Sequence, residues 1–258
     1  MILIKRIVFN KPMGTVQRKR TRFILLGMTA VCAMIFAFLR FQVKYQPTQE
    51  AFDAMQSDSM ITVTSTADYD RYQPAASQAH GIVIYPDERI HPAAYAVLAR
   101  TMAQELQSEV FVRHYPFGST LLGLTNQKKL FQINEGIQTW DVVLHGNGAF
   151  QSSFMKQLPV RSLIFLSGAP SWNIADQIDS MVVRGTLDGV NPQSSWQKKR
   201  KLFPEEAIYY AIEGGNFSNY VNTQLFREDF IGTITTQEQQ DSTIEYIEDF
   251  LMGLSLRQ

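Results

Sequence analysis

The chain has 258 residues, with 24 Lys or Arg, 24 Asp or Glu and one cysteine, Cys32. That length suffices for one domain with a substantial core, and a lone cysteine excludes an internal disulfide framework. The formal neutrality hides a split: residues 1–49 hold nine basic and no acidic side chains, and the remainder holds 15 basic against 24 acidic.

The basic end, residues 1–22, reads as a cytoplasmic segment followed by an apolar run. From Phe23 to Leu39 there are 17 residues without a charge, with Thr29 the only hydroxyl, which meets the lower limit of roughly 17 to 25 residues for a membrane span. Arg18-Lys19-Arg20-Thr21-Arg22 outweighs Arg40 and Lys44. The positive-inside tendency therefore predicts a single-pass cell-membrane protein with its N-terminus in the cytoplasm and its main domain outside. Phe36 to Tyr45 offers no small-x-small cleavage site, so an uncleaved anchor over residues 23–39 is expected in preference to a signal peptide. A basic segment next to a span and an acidic remainder argues against a nucleic-acid partner.

Residues 40–59 are polar and are expected to form a partly helical stalk, with the extracytoplasmic domain over residues 60–258. Met60 to Thr66 alternates as a half-buried strand does. Short apolar runs recur at Gly81–Tyr85, Val110–Val112, Trp140–Leu144, Leu163–Leu166, Met181–Val183 and Ala207–Ile212. Helical patterns lie between and after them, most clearly at Pro92–Leu106 and Thr235–Leu251. Strands alternating with helices predict an α/β fold, a mostly parallel sheet with helices on both faces. The charge run Lys198-Lys199-Arg200-Lys201 reads as a solvated loop or helix end.

Val142 to Phe150 has the form of a strand entering a tight turn, Leu144-His145-Gly146-Asn147-Gly148. In the signature G-x-S-x-G such a turn lifts a nucleophilic serine above the end of a sheet. Here the central position is Gly146, which has no side chain with which to attack. Three further motifs occur in order: Gly81-Ile82-Val83-Ile84-Tyr85-Pro86-Asp87-Glu88 leading to His91-Pro92-Ala93-Ala94-Tyr95, then Arg184-Gly185-Thr186-Leu187-Asp188-Gly189, then Ile212-Glu213-Gly214-Gly215-Asn216-Phe217.

Together these four motifs make residues 80–258 resemble the single-domain α/β-hydrolases related to dienelactone hydrolases. The resemblance implies an α/β-hydrolase fold and puts the nucleophile at Gly146, the acid at Asp188 and the base histidine at Phe217. It also implies that Asp87 and Glu88 replace a Gly-Gly pair at the oxyanion loop, where each carboxylate would oppose a developing negative charge by about a kcal/mol or more. No catalytic residue set is then intact. The expected function is a membrane-anchored, catalytically silent hydrolase-fold protein that binds a small molecule or an envelope protein. Its ligand site would be a crevice rimmed by Asp87, Glu88, Asn147, Asp188 and Phe217.

The alternative is a carboxylic-ester hydrolase with a displaced nucleophile, for which Ser119, Ser152 and Ser153 are candidates, although no base is paired with any of them in the sequence. His145 is expected to pack or hydrogen-bond. His80, His91 and His114 have no short-spaced partner of the kind a local metal motif needs. No cofactor or metal is expected, and no phosphate-binding Gly-rich loop occurs.

Overall fold

The computed structural model describes residues 15–40, 45–76, 80–133, 136–174 and 178–256. The chain divides into two units, Met1–Gln42 and Val43–Gln258. In the first, helix α1 (Thr15–Arg40) takes in the apolar run. Its stretch Lys19–Ala37 is long and apolar enough to cross a membrane by length and composition. Cys32 is exposed on it. The first fourteen residues of the basic segment lie outside the described residues.

The second unit begins with the short helix α2 (Gln49–Asp53), capped by the Thr48 hydroxyl on the Ala51 N–H. Strands β1 (Ile61–Ser65) and β2 (Tyr69–Pro74) form an antiparallel hairpin. Then follow β3 (His80–Tyr85), α3 (Ala96–Glu105), β4 (Glu109–Arg113), α4 (Gln127–Ile133), β5 (Thr139–His145), β6 (Val160–Leu166), β7 (Asp179–Gly185), α5 (Gln193–Lys199), β8 (Ile208–Ile212) and α6 (Thr236–Ser255). The eight strands make one sheet in the order β1-β2-β4-β3-β5-β6-β7-β8. From β4 through β8 every neighbouring pair is parallel, so all these strands deliver their C-terminal ends to one edge.

Both faces of the sheet are covered, which explains why the strand sequences are continuous apolar runs with little alternation. On β3, Ile82 and Ile84 face a core shared with α3 and α6, while Val83 and Tyr85 face a second core with Trp140, Leu130 and Phe165. Helix α6 starts where a capping box predicts a start. The Thr235 hydroxyl accepts from the Glu238 N–H, and the Glu238 carboxylate accepts from the Thr235 N–H.

Every expected strand is present within a residue or three of its predicted ends. Strand β2 was not anticipated, because its inward-facing residues are Asp70, Tyr72 and Pro74, a set without an apolar period. The helical pattern over Pro92–Leu106 starts as a 3-10 turn at Pro92–Tyr95, with the His91 imidazole accepting the Ala93 N–H, and continues as α3.

One expectation needs correction. Residues 45–59, read as part of a stalk, pack onto the domain as a strap. The Tyr45 N–H donates to the Arg89 carbonyl (3.1 Å), the His91 N–H donates to the Tyr45 carbonyl (3.0 Å), and the Thr48 N–H donates to the Asn222 carbonyl (2.9 Å). The Tyr45 ring stacks on Phe226 with centroids 3.6 Å apart, and Ala51 is fully buried. Polar composition misled here because the strap is held mainly by backbone hydrogen bonds, which any residue can supply. Tyr45→Ala should therefore behave as a core lesion of about 1–2 kcal/mol. Thermal denaturation should show a Tm lower by about 3–8 °C, whereas a free stalk would leave the midpoint unchanged.

Candidate functional site

Strand β5 ends at His145, and the chain turns at once into a 3-10 helix over Gly146–Phe154. Gly146 turns with φ +50°, in the left-handed region where a side chain is strained. A Cβ on Gly148 would run into the Tyr85 and Pro86 carbonyls, so only glycine lets the helix close on the end of β3. The turn predicted from sequence is thus present, with its apex above the C-terminal edge of the sheet.

The space in front of the apex is filled. A Cβ placed on Gly146 would overlap Asp87 Oδ2 and lie 2.8 Å from Phe217 Cζ. Phe217 is fully buried and stacks on His145 with centroids 4.3 Å apart. Phe226 packs edge-on against Phe217 at 4.8 Å, and Tyr45 covers Phe226. A column of four rings therefore runs from the end of β5 to the strap.

Asp87 supplies the polar half of the filling. Its carboxylate is buried and accepts the Asn147 N–H on Oδ2 (2.9 Å) and the Arg89 N–H on Oδ1 (2.9 Å). The Arg89 guanidinium closes on both oxygens, Nε to Oδ1 at 2.9 Å and Nη2 to Oδ2 at 3.1 Å. Burial pushes the Asp87 carboxyl up, but the hydrogen bonds and charge of Arg89, with the Asn147 N–H, outweigh it and hold the group below the usual carboxylate range. Arg89 also lies over the Phe226 and Phe217 rings, at 4.9 and 5.6 Å. The Asp87 N–H is itself taken, donating to the Tyr95 hydroxyl (2.9 Å). Both backbone N–H groups at the apex, those of residues 87 and 147, already have acceptors.

The Tyr95 hydroxyl also sits within hydrogen-bond distance of His145 Nδ1, at 2.7 Å. His145 Nε2 makes no well-formed hydrogen bond. Burial drives the His145 pKa down to about 4, only partly offset by the Asp87 charge and the Phe217 carbonyl. His145 is a neutral packing residue, as expected.

Asp188, in the turn after β7, is buried. It accepts from the Ser167 hydroxyl and the Asn191 N–H (2.7 Å), and Ser167 sits at φ +47°. Burial raises its pKa to about 6 against these hydrogen bonds. An acid so placed stabilises the fold below its unfolded pKa of about 4 and loses that contribution as pH rises through about 6.

The crevice expected to be rimmed by Asp87, Glu88, Asn147, Asp188 and Phe217 is therefore not open. Three of these residues are buried, Glu88 is half-buried with an oxygen accepting from Thr120 (3.1 Å), and Asn147 alone is exposed. Among the spare serines, Ser152 donates to the Ala149 carbonyl (2.7 Å), and Ser119 and Ser153 show no imidazole partner. No group of three or more His, Cys, Asp or Glu among the described residues could hold a metal ion.

Two arrangements had no sequence signal strong enough to find them. Arg89 stands two residues after Asp87, a spacing too common to mark a clamp. At the opposite edge of the sheet, His80 Nε2 lies 2.5 Å from Asp141 and its Nδ1 lies 3.0 Å from the Ser108 hydroxyl. Asp141 also binds Arg161 (2.5 Å) and Ser162 (2.6 Å), and Ser108 donates to the Leu106 carbonyl (3.0 Å). This network ties together residues 20 to 81 positions apart, so only the fold reveals it.

Comparison with known proteins agrees with this architecture. The model of the alpha/beta hydrolase family matches residues 81–241. No curated protein matches the chain. Among solved structures it is similar to an α/β serine hydrolase without lid from Xanthomonas campestris, with TM-score 0.54 and 10% identity over 75% of this chain and 96% of that one. A serine hydrolase homologue from Coxiella burnetii gives 0.53 and 10% over 74% and 98%. Mouse alpha/beta hydrolase domain-containing protein 10 gives 0.53 and 9% over 76% and 100%. Such low identities speak for the fold alone. Matched by the family model over more than half its length, the chain belongs to the alpha/beta hydrolase family.

Proposed function

We propose that this is a catalytically silent α/β-hydrolase domain of the dienelactone-hydrolase type, anchored in the cell membrane by residues 23–39 with its main domain outside. It works by binding through its surface and does not turn over a substrate. The observation that carries this reading is the Asp87 carboxylate seated on the Asn147 N–H. On this fold the oxyanion hole combines the N–H after the nucleophile with one from the loop after the third strand. In this chain those donors correspond to Asn147 and Asp87, and a fixed negative charge stands where a tetrahedral intermediate would place its own.

The rest of the centre supports the same conclusion. Gly146 at the nucleophile position cannot form an acyl-enzyme, and Phe217 at the base position cannot move a proton. Asp188, at the acid position, has a serine and a backbone N–H for partners where an imidazole would stand. Its pKa of about 6 comes chiefly from burial, which the Ser167 and Asn191 hydrogen bonds and the Arg184 charge only partly offset. Arg18 to Arg22 before the apolar run supports the orientation of the anchor.

The full chain should show no hydrolysis of short p-nitrophenyl acyl esters above background and no label from a serine-directed fluorophosphonate. A label on Ser108, which has an imidazole within reach, or on any other serine would restore the hydrolase reading. Reconstruction should be stepwise. Gly146→Ser with Phe217→His should stay inactive, because Asp87 still overlaps the new Cβ and holds the Asn147 N–H. Adding Asp87→Gly should raise esterase activity measurably, since one oxyanion donor is worth about 100-fold or more in rate.

Asp188 gives a pH test with a defined sign. Asp188→Asn removes a buried charge, so it should stabilise the domain by about 1–2 kcal/mol at pH 7.5. The gain should shrink on titration from pH 7 to pH 5, where wild-type Asp188 is protonated, as read from urea midpoints at each pH.

A further inference from the structure

The large apolar side chains left exposed in the unit Val43–Gln258 are unevenly distributed. Among the described residues there are twelve, and nine of them lie in the strap or in segments that leave the C-terminal ends of the parallel strands. Phe117 (81% exposed) and Leu121 follow β4, Phe154 and Trp172 (53%) follow β5 and β6, and Phe230 and Ile231 (79%) follow β8. Single exposed apolar residues are ordinary on a soluble protein, but a concentration on one edge marks a surface that another phase or molecule covers. Part of this set is also clustered. Phe154 and Trp172 lie 5.8 Å apart edge to face, and Phe150 touches both.

The same edge holds the start of the strap. Tyr45 is pinned there through Arg89 and His91, and only five residues separate it from Leu39, the last residue of the apolar run. Six Cα steps span at most about 20 Å. In a chain whose apolar run crosses a bilayer, Tyr45 therefore stays within about 20 Å of the hydrocarbon boundary, and the headgroup layer occupies about 5–7 Å of that distance.

We infer that the C-terminal edge of the sheet, bearing Phe117, Leu121, Phe154, Trp172, Phe230 and Ile231, seats on the outer surface of the membrane and inserts these side chains at the headgroup–acyl boundary. The occupant is lipid, because the tether to the apolar run, at most about 20 Å long, leaves the domain from this edge. Aromatic rings, Trp above all, suit that boundary by combining an apolar body with a polarisable face and, in Trp, an N–H donor. The inference rests on the anchor reading of residues 23–39 and goes beyond it by fixing which surface meets the lipid.

Trp172 makes the test direct, since Trp140 is fully buried and Trp196 is only partly exposed. The full chain is reconstituted in phosphatidylcholine vesicles brominated near the headgroup, and Trp172→Phe provides the difference spectrum. The Trp172 component should be blue-shifted and quenched about twofold or more, as expected for an interfacially buried ring. Phe230→Asp with Ile231→Asp, both at exposed positions that leave no cavity, should relieve that quenching without changing thermal stability. Flotation of the chain with vesicles while Trp172 stays unquenched would overturn the seating and leave the anchor standing. Failure to float would overturn the anchor reading itself. A Trp172 shift that depends on protein concentration and not on lipid bromination would assign the edge to a second copy and also overturn the proposal.

Discussion

A carboxylate with no access to water has to be paired, and in this domain that requirement organises everything around the turn after β5. Removing one partner from a buried ion pair costs about 3–5 kcal/mol, so Asp87 fixes Arg89 and the Asn147 N–H together. Arg89, drawn inward, presents its guanidinium plane to Phe217 and Phe226. Those rings in turn form the surface on which Tyr45 stacks. The strap, the aromatic column and the closed turn are thus consequences of burying one charge where the fold leaves a cavity.

The fold tolerates this because its stability comes from elsewhere. The sheet is held by two cores on its two faces, and neither needs a reactive side chain at the apex. Glycine at position 146 adopts the left-handed turn without the strain a serine there would carry. Phe217 makes apolar contacts with His145 and Phe226 and fills the space in front of the apex. His145 shows the effect: buried and stacked on a ring, it has its pKa pushed down to about 4 by burial.

Much of this was legible in the sequence. The parallel strands could be read because, covered on both faces, they are unbroken apolar runs, and α6 because Thr235 and Glu238 form a capping box. The turn at 144–148 could be read because Gly146 and Gly148 are each required by geometry, one by its φ and the other by the carbonyls of Tyr85 and Pro86. Strand β2 and the strap could not, because backbone pairing leaves no mark on composition. Neither could the role of Asp87. The sequence shows a carboxylate beside the turn, which reads as a charge on a rim, and only the three-dimensional placement of Arg89 shows that it is neutralised and buried.

The filled apex and the exposed apolar loop residues bear on one another because both lie at the C-terminal ends of the parallel strands. In an open hydrolase the loops after the strands have to leave a path for substrate, so covering that edge would stop the enzyme. Here Asp87 and Phe217 fill the space in front of the apex, and on the proposed reading no path needs to be kept clear. Apolar side chains on the surrounding loops are then constrained only by what they cost in water, and that cost vanishes where a tethered surface lies against lipid. On the proposed reading, the loss of a reactive centre and the gain of a seating surface are compatible on this scaffold because both would depend on the same edge being sealed from within.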